Sequence, residues 1–440
     1  MRRGVVITGL GAVTPLGVGA DALWEGLCEG RCGLGSMQRL DASGFPCHLA
    51  GEAPADLKAR DFVPKRHRKA IKVMARDTVI AVAAAQLAAK DANLVTAGRL
   101  DCDDGASPTI EPRRVGCQIG AGLIACETNE LAMALATARD PATAQVDMRA
   151  WGERGMANLT PLWLLKYLPN MLACHVTIIH NAQGPSNTIT CTEASGLLSI
   201  AEATRVIRRG AADACFAGGA ESKLNHMGMM RLEFARRLAQ VDEQADGATV
   251  VRPYDRDAAG GVIGEMGGIL ILEEREAARA RGARVYAVVA GVGAGQSIAD
   301  GDTARESEGL SIAIESALRD ADASARDIDA IVPHACGAPH MDAAEASAFR
   351  RVFSERLAEI PLITLPPNLG EGMAGAGGVA AGVGALALSR KTLPARIHAG
   401  SPEPDLRAEQ TPMRDAPISR ILVCTNALGG HNAALVLDAA

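Results

Sequence analysis

One stretch, GPSNTITCTEASG at 184–196, constrains the fold more than any other part of the chain. Residues 187–192 are rich in β-forming side chains and predict a short strand. A sharp turn follows from Glu193 to Gly196, and residues 197–209 carry apolar side chains at helical spacing. Such a turn presents one side chain at the helix N-terminus, where nucleophiles are often placed. Here that side chain is Glu193, and a carboxylate cannot do the work of a thiol.

The motifs around this turn resemble those of the β-ketoacyl-ACP synthases of the thiolase superfamily. They are Gly-Pro-Ser at 184–186, a turn ending in Ser-Gly, and Ala-Gly-Gly-Ala-Glu at 217–221. In that family the turn reads Cys-Thr-Ser-Gly, and the cysteine accepts the acyl chain. Counting forward from Pro185 or back from Gly196 places the family cysteine at Glu193. We interpret Cys191 as a strand residue, although a slipped register would make it the thiol.

The resemblance covers nearly the whole chain and implies an α/β fold of the thiolase type. That fold has five layers, αβαβα, in two pseudo-duplicated halves, here expected at 1–253 and 254–440. The sequence itself shows a buried strand and glycine-rich turn at 5–17 and a second strand–helix series starting near 285. The third glycine of a dinucleotide fingerprint is missing after Gly9 and Gly11, so no nucleotide cofactor is expected.

Composition excludes several other classes of protein. A net charge of −6 argues against a general nucleic-acid role. Eleven cysteines without a C-x-x-C pair indicate reduced thiols in a cytoplasmic protein, with no metal site and no disulfide framework. No apolar run reaches the length of a membrane span, and 377–388 is predicted as a buried helix.

The resemblance also identifies the other positions of the site. A ketosynthase uses two histidines and a lysine beside its cysteine. His334, followed by Asp342 and Glu345 at the family spacing, matches the first histidine. Glu371 stands at the second histidine, and Pro366 stands at the lysine.

Two neighbouring features of the family site are altered as well. Leu428 replaces a gating phenylalanine, and Ala-Cys-Gly-Ala-Pro at 335–339 replaces a loop whose hydroxyls hold the pantetheine arm. His340 is expected in a loop that faces solvent.

Loss of the nucleophile, the lysine and one histidine predicts that condensation has been given up. This pattern resembles the chain length factors of type II polyketide synthases, which typically carry glutamine where this chain has Glu193. Such a subunit would pair with an active ketosynthase, shape its acyl tunnel and meet the acyl carrier protein, either directly or through its partner. We expect an ion pair of Glu193 with His334 or with an arginine to plug the site.

Two other functions stay open. The chain could decarboxylate malonyl-ACP to make a starter unit, or it could condense acyl groups through Cys191. Two basic clusters are either solvated surfaces or docking patches for an acidic carrier protein: Lys65, Arg66 and Arg68, and Arg205, Arg208 and Arg209.

The remaining segments give simpler expectations. Helices are predicted at 21–28 and 70–87, a strand at 115–120 and a surface loop at 101–112. Residues 133–158 are a long excursion that is functional or interfacial. His175 is predicted as a packed structural histidine, and the methionines at 227–230 as core.

Overall fold

A computed structural model describes residues 3–101, 106–298 and 300–440. The strands are β1 (Val5–Thr14), β2 (Gly17–Val18), β3 (Leu34–Ser36), β4 (Leu49–Gly51), β5 (Val115–Gly120), β6 (Ser186–Ile189), β7 (Ala214–Glu221), β8 (Met266–Glu274), β9 (Ala287–Gln296), β10 (Ala330–Val332), β11 (Thr392–Leu393), β12 (Arg414–Asp415), β13 (Arg420–Asn426) and β14 (His431–Asp438).

The α-helices are α1 (Ala20–Cys28), α2 (Arg76–Asp91), α3 (Thr128–Ala138), α4 (Met148–Ala150), α5 (Trp163–Lys166), α6 (Met171–His180), α7 (Ser195–Arg208), α8 (His226–Phe234), α9 (Gly247–Val250), α10 (Arg275–Ala280), α11 (Thr303–Asp320), α12 (Pro339–Phe353), α13 (Pro366–Leu369) and α14 (Ala376–Arg390). Short 3₁₀ turns lie between them, among them Lys65–Val73 and Thr192–Ala194, and a π-helical turn spans Trp151–Gly155.

Ten of these strands form one hydrogen-bonded sheet in the order β10-β13-β14-β9-β1-β8-β7-β5-β6, with β2 paired to β1. The sheet has two parts, because β1 and β9 meet through only two residue pairs, Val6–Val288 and Ile7–Ala287. β6 lies parallel to β5 at one end of the sheet, and β10 lies parallel to β13 at the other end.

The helices arrange these two parts into five layers. α7 and α14 contact strands from both parts and therefore lie between them. α2 and α6 cover the outer face of one part, while α11 and its neighbour α12 cover the other. α14 is apolar and buried over most of its length, as its sequence predicts. The order helix, sheet, helix, sheet, helix is the αβαβα arrangement expected from the sequence.

Glycines set the distance between these layers. An added Cβ at Gly196 would lie 2.6 Å from the carbonyl oxygen of Ala374, so only glycine lets the start of α7 approach the start of α14. Along β9, an added Cβ at Gly293 would overlap the carbonyl oxygen of Ala313 in α11. The many glycines and the low aromatic content thus allow helices to pack close to the strands and to one another.

Several predicted elements differ at their ends. The predicted strand 187–192 ends at Ile189, where its pairing with β5 also ends, and Cys191 therefore lies beyond it. The predicted helix 70–87 is a 3₁₀ turn followed by α2, which begins at Arg76 because the preceding Ala75 is extended.

Other predictions are wrong in part. Met229 is buried, but Met227 and Met230 are exposed. His175 is buried in α6 as predicted.

The predicted loop 101–112 includes residues 102–105, which lie outside the described residues. The division into halves at 253 and 254 stays a prediction. Within the described residues, no helix is long and apolar enough to cross a membrane.

We predict that the close contact between Gly293 and α11 leaves no room for a larger residue at position 293. Gly293→Ala should lower the free energy of unfolding by roughly 1–3 kcal/mol, because the added methyl group meets the backbone of α11. Gly35→Ala is the matched control, since a Cβ there meets nothing within 4 Å. Urea unfolding of both variants checks this, and equal stabilities would contradict it.

Candidate active site

Glu193 lies in the 3₁₀ turn between β6 and α7 and is fully buried. The turn is tight because Thr192 has a positive φ of 48° and because the Ser195 hydroxyl ties its ends together. That hydroxyl accepts from the Cys191 backbone N–H at 2.8 Å and donates to the Thr192 carbonyl oxygen at 2.6 Å. The predicted turn therefore exists, and it aims a carboxylate from the head of α7 into the interior.

His334 follows β10 and is held in place from two sides. Its backbone N–H and that of Ala335 each donate to the Glu345 carboxylate at 2.9 Å. Asn426 donates its amide nitrogen to the Met341 carbonyl oxygen, which leaves the amide oxygen to accept. The His334 Nδ1–H donates to that oxygen at 2.8 Å, so Nε2 faces the site.

Glu371 follows α13, where Gly370 turns the chain with a φ of 73°. The Glu371 backbone N–H donates to the Val262 carbonyl oxygen at 2.7 Å, and its own carbonyl oxygen accepts from Gly264 at 2.8 Å. Pro366, at the family lysine position, is the buried first residue of α13. Its ring can supply neither a charge nor a donor.

The structure adds a residue that sequence reasoning did not identify. Arg237 follows the end of α8, and its side chain is almost completely buried. One of its terminal nitrogens, Nη1, pairs with Glu193 Oε1, and the other, Nη2, pairs with Glu371 Oε1. The sequence predicts an ion pair of Glu193 with His334 or with an arginine, and the structure contains the pair with an arginine, Arg237.

We call Glu193, Arg237, His334 and Glu371 the charged cluster. His334 Nε2 lies 3.4 Å from Glu371 Oε1. Burial would raise the pKa of Glu193, but the Arg237 charge, followed by His334, outweighs burial and holds this pKa below its ordinary value. Burial would lower the pKa of His334, but the Glu371 carboxylate outweighs it and raises this pKa to about 9. The cluster thus sets two basic side chains against two acidic ones, while Glu193 Oε2, Arg237 Nε and His334 Nε2 are buried without a hydrogen-bond partner.

Little space remains beside these residues. A cavity of about 20 Å³ is bounded by His334, Glu371, Pro366, Met266 and Thr425 among others. That volume holds about one water molecule. Carboxylates and a guanidinium thus fill the interior at the head of α7.

The other candidate residues lie further out. Cys191 is partly buried, and burial raises the pKa of its thiol. Leu428 lies in the turn after β13 and is partly exposed. His340 is exposed as expected, but it belongs to the first turn of α12 rather than to a loop, because Pro339 starts that helix.

The basic residues fall into two groups. Lys65, Arg66 and Arg68 are exposed on the 3₁₀ turn before α2, and Arg205 and Arg209 are exposed on α7. Arg208 differs from them, because its guanidinium pairs with Asp320 at 2.7 Å and donates to two carbonyl oxygens of β9. Its side chain therefore ties α7 to α11 and β9 and is not part of an open basic patch.

Comparisons with known proteins agree with this geometry. The family model for the N-terminal domain of β-ketoacyl synthases matches residues 2–278, and the model for the C-terminal domain matches 286–400. A 3-oxoacyl-[acyl-carrier-protein] synthase 2 of Staphylococcus aureus is 31% identical over 438 residues, 99% of this chain and 98% of that protein. The synthase of the same name from Synechocystis is 30% identical and covers 99% and 97%.

Solved structures show the same fold. The ishigamide ketosynthase/chain length factor superposes with a TM-score of 0.81 at 26% identity over 100% of both chains. A β-ketoacyl synthase from Burkholderia phymatum gives 0.81 at 25% identity, also over 100% of both chains.

The five layers and the buried site at the head of α7 define a ketosynthase fold of the thiolase type. The chain belongs to the β-ketoacyl synthase family. The expected fold class and family are therefore confirmed.

We predict that His334 makes stability depend on pH. Its pKa rises from about 6.5 in an unfolded chain to about 9 in the folded protein. The stabilisation is therefore complete below pH 6.5 and is lost as the pH rises through 9, by roughly 3 kcal/mol. Urea unfolding between pH 6 and pH 9.5 measures this loss. His334→Gln is the control and should have a flatter profile, and parallel profiles of the two proteins would contradict the prediction.

Proposed function

We propose that this chain is a non-condensing partner of an active β-ketoacyl-ACP synthase, similar to a chain length factor. The observation that carries the proposal is the buried Glu193 at the position of the acyl-accepting cysteine. Condensation by transfer to the enzyme needs a thiolate nucleophile. A carboxylate neutralised by Arg237 has neither the nucleophilicity nor the freedom to accept an acyl chain.

The charged cluster also argues against decarboxylation of malonyl-ACP. That reaction needs free donors where negative charge develops on the enolate. Here the donors that face the site, Arg237 and His334, lie against the carboxylates of Glu193 and Glu371. A malonyl carboxylate would have to displace one of these anions while the other repels it.

Condensation through Cys191 has still less support. A catalytic thiol needs a nearby cation or base that lowers its pKa. Burial instead raises the pKa of Cys191. Its backbone N–H is engaged by the Ser195 hydroxyl, so this residue lies before the helix head and does not occupy the position that Glu193 holds.

Two surface features support pairing with another subunit. β6 is at the end of the sheet, and in the described part of the chain no strand pairs with its outer edge. Exposed apolar side chains are concentrated in two segments, 123–164 and 227–234. They are Leu123, Met133, Leu135, Val146, Met148, Met156, Leu162, Leu164, Met227, Met230 and Phe234. Exposed apolar groups in such numbers are typical of protein interfaces.

These two segments adjoin each other. The Thr128 hydroxyl of α3 lies 3.3 Å from His226 Nδ1 of α8, and the Lys223 ammonium donates to the Leu123 carbonyl oxygen at 2.8 Å. We name the eleven exposed apolar residues of the two segments the apolar face. We assign this face and the edge of β6 to the ketosynthase partner, and the solved ketosynthase/chain length factor is a precedent for such pairing.

The carrier protein would dock through charge. Lys65, Arg66, Arg68, Arg205 and Arg209 are the exposed cations that we assign to contact with its acidic surface. Such contacts steer association more than they determine affinity. The site itself requires no cofactor in this function.

Co-expression with a candidate ketosynthase that retains its cysteine tests the proposed function. We expect the two chains to elute together on size exclusion and to form product only when both are present. The isolated chain should neither acquire a covalent acyl group nor release acetyl-ACP from malonyl-ACP, as judged by mass spectrometry. An acylated or decarboxylating isolated chain would refute the proposal.

We predict that charge on the apolar face breaks the complex. Met133→Glu combined with Phe234→Glu places carboxylates at side chains that are 64% and 78% exposed. Burying them should weaken the complex by about tenfold or more, while the melting temperature of the free chain stays unchanged. Ile312→Glu, at an exposed apolar position of α11, is the control. Unchanged affinity of the double variant, measured by calorimetry, would exclude this face.

A further inference from the structure

Arg237 has an environment that is unusual for an arginine. At most 2% of its surface is exposed, and it is among the largest side chains buried so completely in the described part of the chain. Arginine is almost never buried so deeply unless it is paired. Burial would lower its pKa, but the carboxylates of Glu193 and Glu371 outweigh burial and raise this pKa above its ordinary value. The guanidinium is therefore permanently charged and permanently held.

The chain around Arg237 fixes where the guanidinium lies. The Arg237 backbone N–H donates to the Leu232 carbonyl oxygen at 3.1 Å, which ends α8. Its carbonyl oxygen accepts from Gly261 at 2.7 Å. Arg236 supplies the left-handed residue of this turn with a φ of 53°. Backbone contacts on both sides thus direct the Arg237 side chain inward.

The two carboxylates that hold Arg237 stand at the positions of two reacting groups. Glu193 replaces the family nucleophile, and Glu371 replaces the second histidine. One guanidinium contacts both, so it lies between these two positions and occupies the space next to side chain 193. A missing thiol prevents acyl transfer to the protein. A side chain between the two positions also prevents an acyl group from entering the site.

We propose that the Arg237 side chain closes the site by blocking the entry of an acyl group. Glu193, Arg237 and Glu371 form one ion-paired unit, and all three must be replaced before the site can admit such a group. This inference rests on the proposed non-condensing function and names the residue that enforces it. Restoring the cysteine alone would leave Arg237 anchored by Glu371. Removing Arg237 alone would leave two buried carboxylates with His334 as their remaining counter-ion in the cluster, which is strongly unfavourable.

Alkylation of a thiol introduced at position 193 tests this closure. The variants are Glu193→Cys, Glu193→Cys with Glu371→Gln, and Glu193→Cys with Arg237→Ala and Glu371→Gln, all in a Cys191→Ser background. Iodoacetamide rates at position 193 are read by peptide mapping under native conditions. A covered thiol reacts only when the structure opens. The second variant keeps Arg237 but removes both of its carboxylate partners, so it separates the effect of the arginine from the effect of those partners.

We expect the first two variants to react at least about tenfold more slowly than the third. If either variant that retains Arg237 reacts as fast as the variant without it, Arg237 does not close the site. Measuring these alkylation rates requires neither a partner subunit nor an acyl substrate. They therefore decide closure independently of whether the chain pairs with a ketosynthase.

Thermal unfolding gives a second test that does not depend on the introduced thiol. Arg237→Met should lower the melting temperature by several degrees in the native chain, because two carboxylates lose their cation. The same change should have little effect when Glu193→Gln and Glu371→Gln are already present. Equal losses in both backgrounds would mean that the three residues act independently and would overturn the proposal.

Discussion

The structure of the site depends on one shared cation. Two carboxylates cannot be buried a few ångströms apart unless something neutralises them, and Arg237 does so for both at once. A guanidinium suits this role because its planar fork donates in several directions and stays charged at any accessible pH. His334 adds the second positive charge beside Glu371. The interior of the site therefore holds a balanced set of charged groups.

The surrounding fold makes such a set possible. The start of α7, the turn after β10 and the segment after α13 meet where glycines such as Gly196 let backbones approach closely. In an active ketosynthase this convergence brings reacting groups together. Here the same convergence brings opposite charges together. The apolar face and the open edge of β6 lie outside this interior, so pairing and site chemistry can change separately.

Sequence reasoning singles out Glu193, His334 and Glu371 because each follows a strand or turn with a recognisable local pattern, and the structure brings the three side chains together around Arg237. It also anticipated the αβαβα layers, though only through resemblance, since the two halves share no visible repeat. Arg237 was missed because it lies 44 positions from Glu193 and 134 from Glu371. An arginine pair after a short helix resembles any surface turn until tertiary contacts bury it. The end of β6 was likewise set by pairing with β5, which propensity does not encode.

Three residues beside the charged cluster, Thr192, Ala335 and Met373, have left-handed φ angles of 48° without being glycines. Thr192 precedes Glu193, Ala335 follows His334 and Met373 lies two residues after Glu371. Each such conformation costs of order 1–3 kcal/mol. The main chain of the site thus stores strain that the surrounding packing has to hold. Relaxing any one of these three turns would carry a charged side chain away from its partners, so the left-handed residues keep the buried charges in register.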